Sequence, residues 1–252
     1  MKRFLVFGGI VLAEIKLSPR LEAIVRLVPG FGGVADVGTD HGYIPVRLSL
    51  RGHVGGLFAT DINEGPLEHA RQTASEYGLD GKISFHLCDG LRTLDSDGIY
   101  TVIIAGMGGE TIASILSAAP WTKLDGRLLI LQPMSKASFL RSWLYENGYK
   151  VLSEHLVEDG ILYELLTAQG GADMPYSPAE LLTGHRELIS GDPFYPERLD
   201  FLINREKHAG DGLSLSSKPE DRQRAIETEA ILFALLQFRL EGYNKDFGGQ
   251  NA

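Results

Sequence analysis

The sequence predicts an α/β fold, with a mainly parallel seven-stranded sheet flanked by helices and a smaller helical unit after it. Three observations predict it. From Ser18 to about Thr167, short apolar runs alternate with amphipathic stretches, as a βα series requires. Composition breaks at Gly170-Gly171-Ala172-Asp173-Met174-Pro175, and beyond that point the pattern is helical without further strands. The 252 residues, 44% of them hydrophobic, suffice for one core of ordinary size plus an appendage.

Ser18-Pro19 opens a leading helix through Leu27, with Ser as the cap and Pro at the first helical position. The strands follow at Val34 to Val37, Gly56 to Ile62, Ile83 to Leu87, Thr101 to Ala105, Arg127 to Leu131, Lys150 to Val157 and Ile161 to Thr167. Only Glu158-Asp159-Gly160 separates the last two, so they form an antiparallel hairpin at the sheet edge. After the break, Pro196 to His208 and Pro219 to Tyr243 read as two helices joined across the polar turn Gly210-Asp211-Gly212. In the second helix, Ile226, Phe233 and Leu240 recur seven apart, with Ala230 and Leu236 widening the stripe. The organisation is an N-terminal extension (1–17), a sheet domain (18–170) and a C-terminal helical domain (171–252), ending in a fraying tail from Gly248 to Ala252.

The most informative stretch is Asp36-Val37-Gly38-Thr39-Asp40-His41-Gly42-Tyr43, a glycine turn flanked by carboxylates at the end of the first of those strands. A dinucleotide site places a pyrophosphate against helix amides and uses G-x-G-x-x-G. Here the spacing is Gly38-x-x-x-Gly42, and Asp36 and Asp40 would repel a pyrophosphate, which disfavours NAD. S-adenosylmethionine has no phosphate and carries an ammonium and a sulfonium, so an acidic turn suits it, while the glycines admit close backbone approach. Asp61 ends the next strand roughly twenty residues on, where an acid can accept from both ribose hydroxyls. Asp89 ends the third and is placed to accept from the adenine amine. Each aspartate alone is an ordinary turn or capping residue; three acids at three successive strand ends argue for a ligand. Thr39, Ile62 and Gly90, beside these acids, complete this half of the cofactor site. The count of seven strands then fits a Rossmann-like class I S-adenosylmethionine methyltransferase domain.

The fourth strand ends in Ala105-Gly106-Met107-Gly108-Gly109, where many amino-group methyltransferases carry Asn/Asp-Pro-Pro-Tyr; its absence argues against that chemistry. Small residues here let a flat substrate or the methionyl arm approach the backbone, and Gly108-Gly109 leads into a helix with free amides.

A single cysteine, Cys88, excludes an internal disulfide and a cysteine zinc cluster and fits a reducing compartment. No metal is expected. Lys2-Arg3 and the apolar run Phe4 to Ala13 have the outline of a signal peptide but no small-x-small site follows, and an extra strand or helix, or an upstream start, accounts for them as well. With no apolar stretch of spanning length, a cytoplasmic protein with no membrane partner is expected. No motif specifies an oligomeric state. The net charge of -9 counts against nucleic acid, yet residues 1–52 hold seven Lys and Arg (Lys2, Arg3, Lys16, Arg20, Arg26, Arg47, Arg51) against four acids, so a basic face beside an acidic body is available.

The sequence resembles the bacterial tRNA (adenine(22)-N1)-methyltransferases. The likeness runs from Leu17-Ser18-Pro19-Arg20-Leu21 to Tyr163-Glu164-Leu165, through the Asp36 to Tyr43 turn, Ala59-Thr60-Asp61, Gly90-Leu91, Ile104-Ala105-Gly106-Met107-Gly108-Gly109 and Leu129-Ile130-Leu131-Gln132-Pro133. It implies a C-terminal coiled-coil-like domain, S-adenosylmethionine as cofactor, tRNA as partner, and attack of adenine N1 on the methyl group. N1 has a free lone pair, so positioning rather than a strong base supplies the acceleration, and a carboxylate favours the cation formed on the base. Asp40 is the first candidate for that role. His41 either bonds the base or holds Asp40, and Tyr43 either stacks on the base or closes the pocket. The target must be unpaired or swung out, because N1 lies on the pairing edge. Arg20, Arg26, Arg47 and Arg51 are candidates for gripping tRNA phosphates, and Gln132 and Pro133 for contacting the acceptor. Met134 departs from the family's usual Asn after Gln-Pro. Two alternatives stand beside this reading: a small-molecule or protein methyltransferase, and a non-catalytic RNA-binding protein retaining the cofactor fold.

Overall fold

The computed structural model describes residues 3–7, 10–216 and 218–248. The tail after Gly248 lies outside the described residues. Contacts divide the chain into two units, one of Met1–Ser153 and Val157–Met174, the other of Glu154–Leu156 and Pro175–Ala252. The segment with the outline of a signal peptide contains two strands, β1 (Arg3–Phe7) and β2 (Ile10–Glu14), paired antiparallel.

The first unit is built on seven strands: β3 (Gly33–Val37), β4 (Leu57–Asp61), β5 (Ser84–Leu87), β6 (Ile99–Gly108), β7 (Leu128–Ser135), β8 (Tyr149–Glu158) and β9 (Leu162–Gly170). Their order is β5-β4-β3-β6-β7-β9-β8. The first five pair parallel, and β9 runs antiparallel to β7. Every position of β3 is buried, as expected of a central parallel strand covered on both faces. Strand register brings the acid-bearing ends together. Val37 aligns with Thr60 of β4 and Ile104 of β6, Asp61 with Leu87, and Ala105 with Gln132, so the C-terminal ends of five strands share one edge. Chain order reverses between β3 and β6, and a crevice forms at such a switch point.

Helices close both faces. In α1 (Pro19–Leu27), the Ser18 hydroxyl accepts from the Leu21 amide, and Ile24 and Val25 are buried in a core shared with Val34, Val46, Ile103 and Ile130. Gly42, at φ 69°, starts α2 (Tyr43–Leu50), and a Cβ there would lie 2.9 Å from the Ala70 Cβ on α3 (Glu64–Glu76). The remaining helices of this unit are α4 (Gly109–Ser117) and α5 (Ala137–Glu146). β8 and β9 run past their expected ends to Glu158 and Gly170, and β6 and β7 reach Gly108 and Ser135, because register shifts between Ala105 and Gly108 keep that pair in contact beyond an ordinary ladder. Gln132 and Pro133 are thereby buried strand residues. Among the described residues no helix is long and apolar enough to cross a membrane.

In the second unit, α6 (Pro178–Thr183) begins with a capping box between Ser177 and Glu180, and α7 (Arg186–Ile189) follows. The two long helices are α8 (Tyr195–Ser214) and α9 (Pro219–Gly248). Gly210-Asp211-Gly212, expected as a turn, is helical; α8 continues to Ser214, with Gly210 passing 3.8 Å from the Thr228 methyl of α9 at its virtual Cβ. The buried stripe of α9 also differs from expectation. Ile226, Phe233 and Leu240 are mostly exposed, whereas Leu235 is fully buried and Ile231 and Phe238 pack beside it against Leu199, Leu202 and Ile203.

Gly42→Ala should destabilise the protein by about 2–4 kcal/mol, the sum of left-handed strain and overpacking against Ala70. Urea unfolding reads this as a lower midpoint at constant slope; a change under about 0.5 kcal/mol contradicts it.

Candidate active site

The crevice between β3 and β6 holds a cavity of about 310 Å³. Arg20, Asp36, Gly38, Thr39, Asp40, His41, Tyr43, Ala105, Gly106 and Met134 all line it. The turn after β3 is fastened by main chain: the amides of Gly38 and Thr39 both donate to the Thr60 carbonyl, at 2.8 and 3.0 Å. Gly38 has φ 72°, a left-handed conformation that favours glycine, and the mobile Met107 methyl packs where a Cβ would stand.

Asp36 is 4% exposed, and the Thr39 hydroxyl donates to its Oδ2 at 2.6 Å. Burial pushes its carboxyl up to about 6, with the Thr39 bond pulling the other way. Asp40 stands in contrast. Its side chain is 70% exposed, and its backbone holds a left-handed φ of 48°, which costs a non-glycine residue about 1 kcal/mol. His41 Nε2 lies 3.8 Å from Asp40 Oδ1. The His41 ring is stacked between two others, Tyr43 at 5.3 Å and His69 at 5.2 Å between centroids. His69, on α3, went unpredicted because a polar residue on an amphipathic helix carries no mark of what it stacks on.

Asp61, Ile62, Asp89 and Gly90 are not in the cavity lining; they form a second cluster at the adjoining ends of β4 and β5. The Cys88 amide donates to the Asp61 carbonyl at 2.8 Å, and the Thr60 hydroxyl donates to the Gly90 carbonyl at 3.0 Å. One Asp61 oxygen accepts from the Asn63 amide, Ile62 is 63% exposed, and Asp89 sits 3.3 Å from Arg92. Gly108, at the end of β6, is the N-cap of α4.

Three predicted substrate residues occupy unexpected places. Gln132 is 1% exposed with its amide committed: Oε1 accepts from Arg20 Nη1 (2.6 Å) and the Gly106 amide (3.1 Å), and Nε2 donates to the Pro133 carbonyl (3.0 Å). It holds the cavity wall. Pro133 is buried behind that wall. Arg20 lies in the wall itself, over the Tyr163 ring at 5.3 Å, apart from the outer arginines. Arg26, Arg47 and Arg51 converge on Glu22 between α1 and α2, with Arg47 and Glu22 mostly buried and Arg26 exposed.

Deep acid, exposed acid and glycine-lined walls suit a small cationic ligand. Comparison with known proteins agrees. Residues 17–166 match a family described as a methyltransferase domain. A Bacillus subtilis tRNA (adenine(22)-N1)-methyltransferase is 38% identical over 174 residues, 68% of this chain and 73% of that protein. The chain belongs to this methyltransferase family. The crystal structure of the Bacillus subtilis m1A22 tRNA methyltransferase superposes with TM-score 0.79 at 29% identity, covering 90% of this chain and all of that one. A Streptococcus pneumoniae relative, solved in complex with S-adenosyl-L-methionine, gives TM-score 0.75 at 28% identity, covering 89% of this chain and 100% of that one. The cofactor of this methyltransferase is S-adenosylmethionine, and the present residues fit it: a desolvated carboxylate with no cation partner among the described residues, and a turn kept open by Gly38.

Placing the cofactor's ammonium against Asp36 gives a signed pH dependence. Binding a cation favours the ionised carboxylate, so Asp36 must shed a proton below about pH 6. Affinity for S-adenosylhomocysteine should rise with pH through about 6, then level off, losing up to about tenfold per unit below it. In Asp36→Asn it should be weaker and flat across that range. Calorimetric titration from pH 5 to 7.5 measures this, and a wild-type affinity independent of pH refutes it.

Proposed function

We propose that the protein methylates N1 of adenine 22 in tRNA, using S-adenosylmethionine, with Asp40 as the group facing the base. The observation that carries this reading is the pair of acids on one glycine turn, Asp36 buried and Asp40 exposed, in a chain of this family. The cofactor supplies an electrophilic methyl on a cationic sulfur. Asp36, Gly38, Thr39 and the Ala105 to Gly108 wall hold its amino-acid end. Asp61 and Ile62 take the ribose side and Asp89 and Gly90 the adenine, at the β4 and β5 ends.

Asp40 then acts by position and charge. Its left-handed backbone points a solvated carboxylate from the turn toward the mouth of the cavity, where a methylated, cationic adenine is stabilised relative to the neutral base. Tyr43, exposed at the outer end of the stack that His41 and His69 continue, presents a ring against which an unpaired base can lie, while His41 braces that ring beside Asp40. The cluster of Arg26, Arg47 and Arg51 lies on the same two helices that border the cavity, about 6–12 Å along each axis from Tyr43 and Arg20. We assign it to the phosphates of tRNA, with Arg26 and Arg51 as its solvent-facing members. The setting we propose is the cytoplasm, where this substrate is made.

Labelled S-adenosylmethionine and unmodified tRNA should yield N1-methyladenosine on nucleoside analysis, and replacing adenine 22 should abolish it. Asp40→Asn, which keeps the left-handed turn accessible, should lower methyl transfer about 100-fold or more while cofactor affinity stays within about threefold. Label on another nucleoside refutes the target, and normal turnover in the variant removes Asp40 from the mechanism.

A further inference from the structure

Arg20 is a cation held without an anion. Three neighbouring arginines share Glu22, whereas among the described residues no carboxylate pairs with Arg20. Its fixed partners are neutral: the Gln132 amide oxygen at one guanidinium nitrogen and the Tyr163 ring across its face. Gln132 cannot turn away, because its oxygen also takes the Gly106 amide and its nitrogen is bonded to the Pro133 carbonyl. A guanidinium has five N–H donors in a rigid fork, and this arrangement uses one edge while fixing the plane. The rest of the fork is presented to the cavity that Asp36 also lines.

That cavity thus offers one fixed cation and one buried carboxylate. A phosphodiester of RNA entering it would meet Asp36 and Asp40, so the anion suited to Arg20 must arrive together with a positive charge. An α-amino acid end, ammonium and carboxylate on one carbon, has that chemistry. We infer that Arg20 binds the carboxylate of the cofactor's amino-acid end, and that Gln132 is the positioning residue that aims it. The inference rests on the S-adenosylmethionine reading of the site and assigns Arg20 to the cofactor rather than to tRNA.

The test uses two stable thioethers, S-adenosylhomocysteine and its decarboxylated analogue S-adenosyl-3-thiopropylamine, which keeps the ammonium and lacks only the carboxylate. Calorimetric affinities are measured for the wild type, Arg20→Leu and Arg20→Lys. Wild type should prefer S-adenosylhomocysteine by roughly 10- to 100-fold, the range of a charge-assisted bond. Arg20→Leu should lose that preference by weakening S-adenosylhomocysteine alone, and Arg20→Lys should recover part of it. Unchanged binding of the analogue in Arg20→Leu shows that the pocket is intact. Equal weakening of both ligands, or no weakening of either, overturns the inference; the second result with a raised KM for tRNA returns Arg20 to the RNA surface. If the wild type binds neither ligand, the cofactor reading itself fails.

Discussion

A carboxylate buried without a cation governs this site. Asp36 sits in an interior strand of a mainly parallel sheet, where water is excluded from both faces, and among the described residues the Thr39 hydroxyl is the side chain that offsets the lost hydration. Raising its carboxyl to about 6 corresponds to about 3 kcal/mol of disfavoured charge, a cost that an ammonium bound there, as proposed, would relieve. The surrounding construction keeps that acid in place. The Thr60 carbonyl anchors the amides of Gly38 and Thr39, Gly38 takes the left-handed φ of the turn, and the strand register sets the turn opposite the end of β6.

From this acid outward, charge is layered. Asp36 is buried, Arg20 is held in the cavity wall by Gln132, Asp40 is exposed on the cavity lining, and the arginines around Glu22 lie farther along α1 and α2, with Arg26 and Arg51 reaching solvent. On the proposed reading each layer serves a different part of the reaction: an amino-acid zwitterion inside, a base acquiring positive charge at the mouth, and phosphates outside. The protein's net charge of -9 is compatible with an RNA substrate because Arg26, Arg47 and Arg51 form a local group on two helices that border the site.

Much of this was legible in the sequence because it is local. A left-handed turn needs glycine, so Gly38 and Gly42 announce the turn, and acids at strand ends announce its ligand. The Arg20 contact was not legible, since Gln132 is 112 residues away and meets it only through a bulged β6–β7 register. Arg20 at the start of an amphipathic helix reads as solvated and therefore as a phosphate ligand. In α9 the sequence contains two apolar stripes, one through Ile226, Phe233 and Leu240 and one through Ile231, Leu235 and Phe238; periodicity marks both, and only packing against α8 decides which is buried.

The most direct measurement is a carbon-detected NMR titration of the Asp36 side-chain carboxyl, first in the free protein and then saturated with S-adenosylhomocysteine. The account predicts a midpoint near 6 when free and one below the ordinary carboxylate range of about 4 when bound. Identical midpoints in the two states would show that the ligand's charge is not neutralised at Asp36, and would contradict the arrangement on which the site depends.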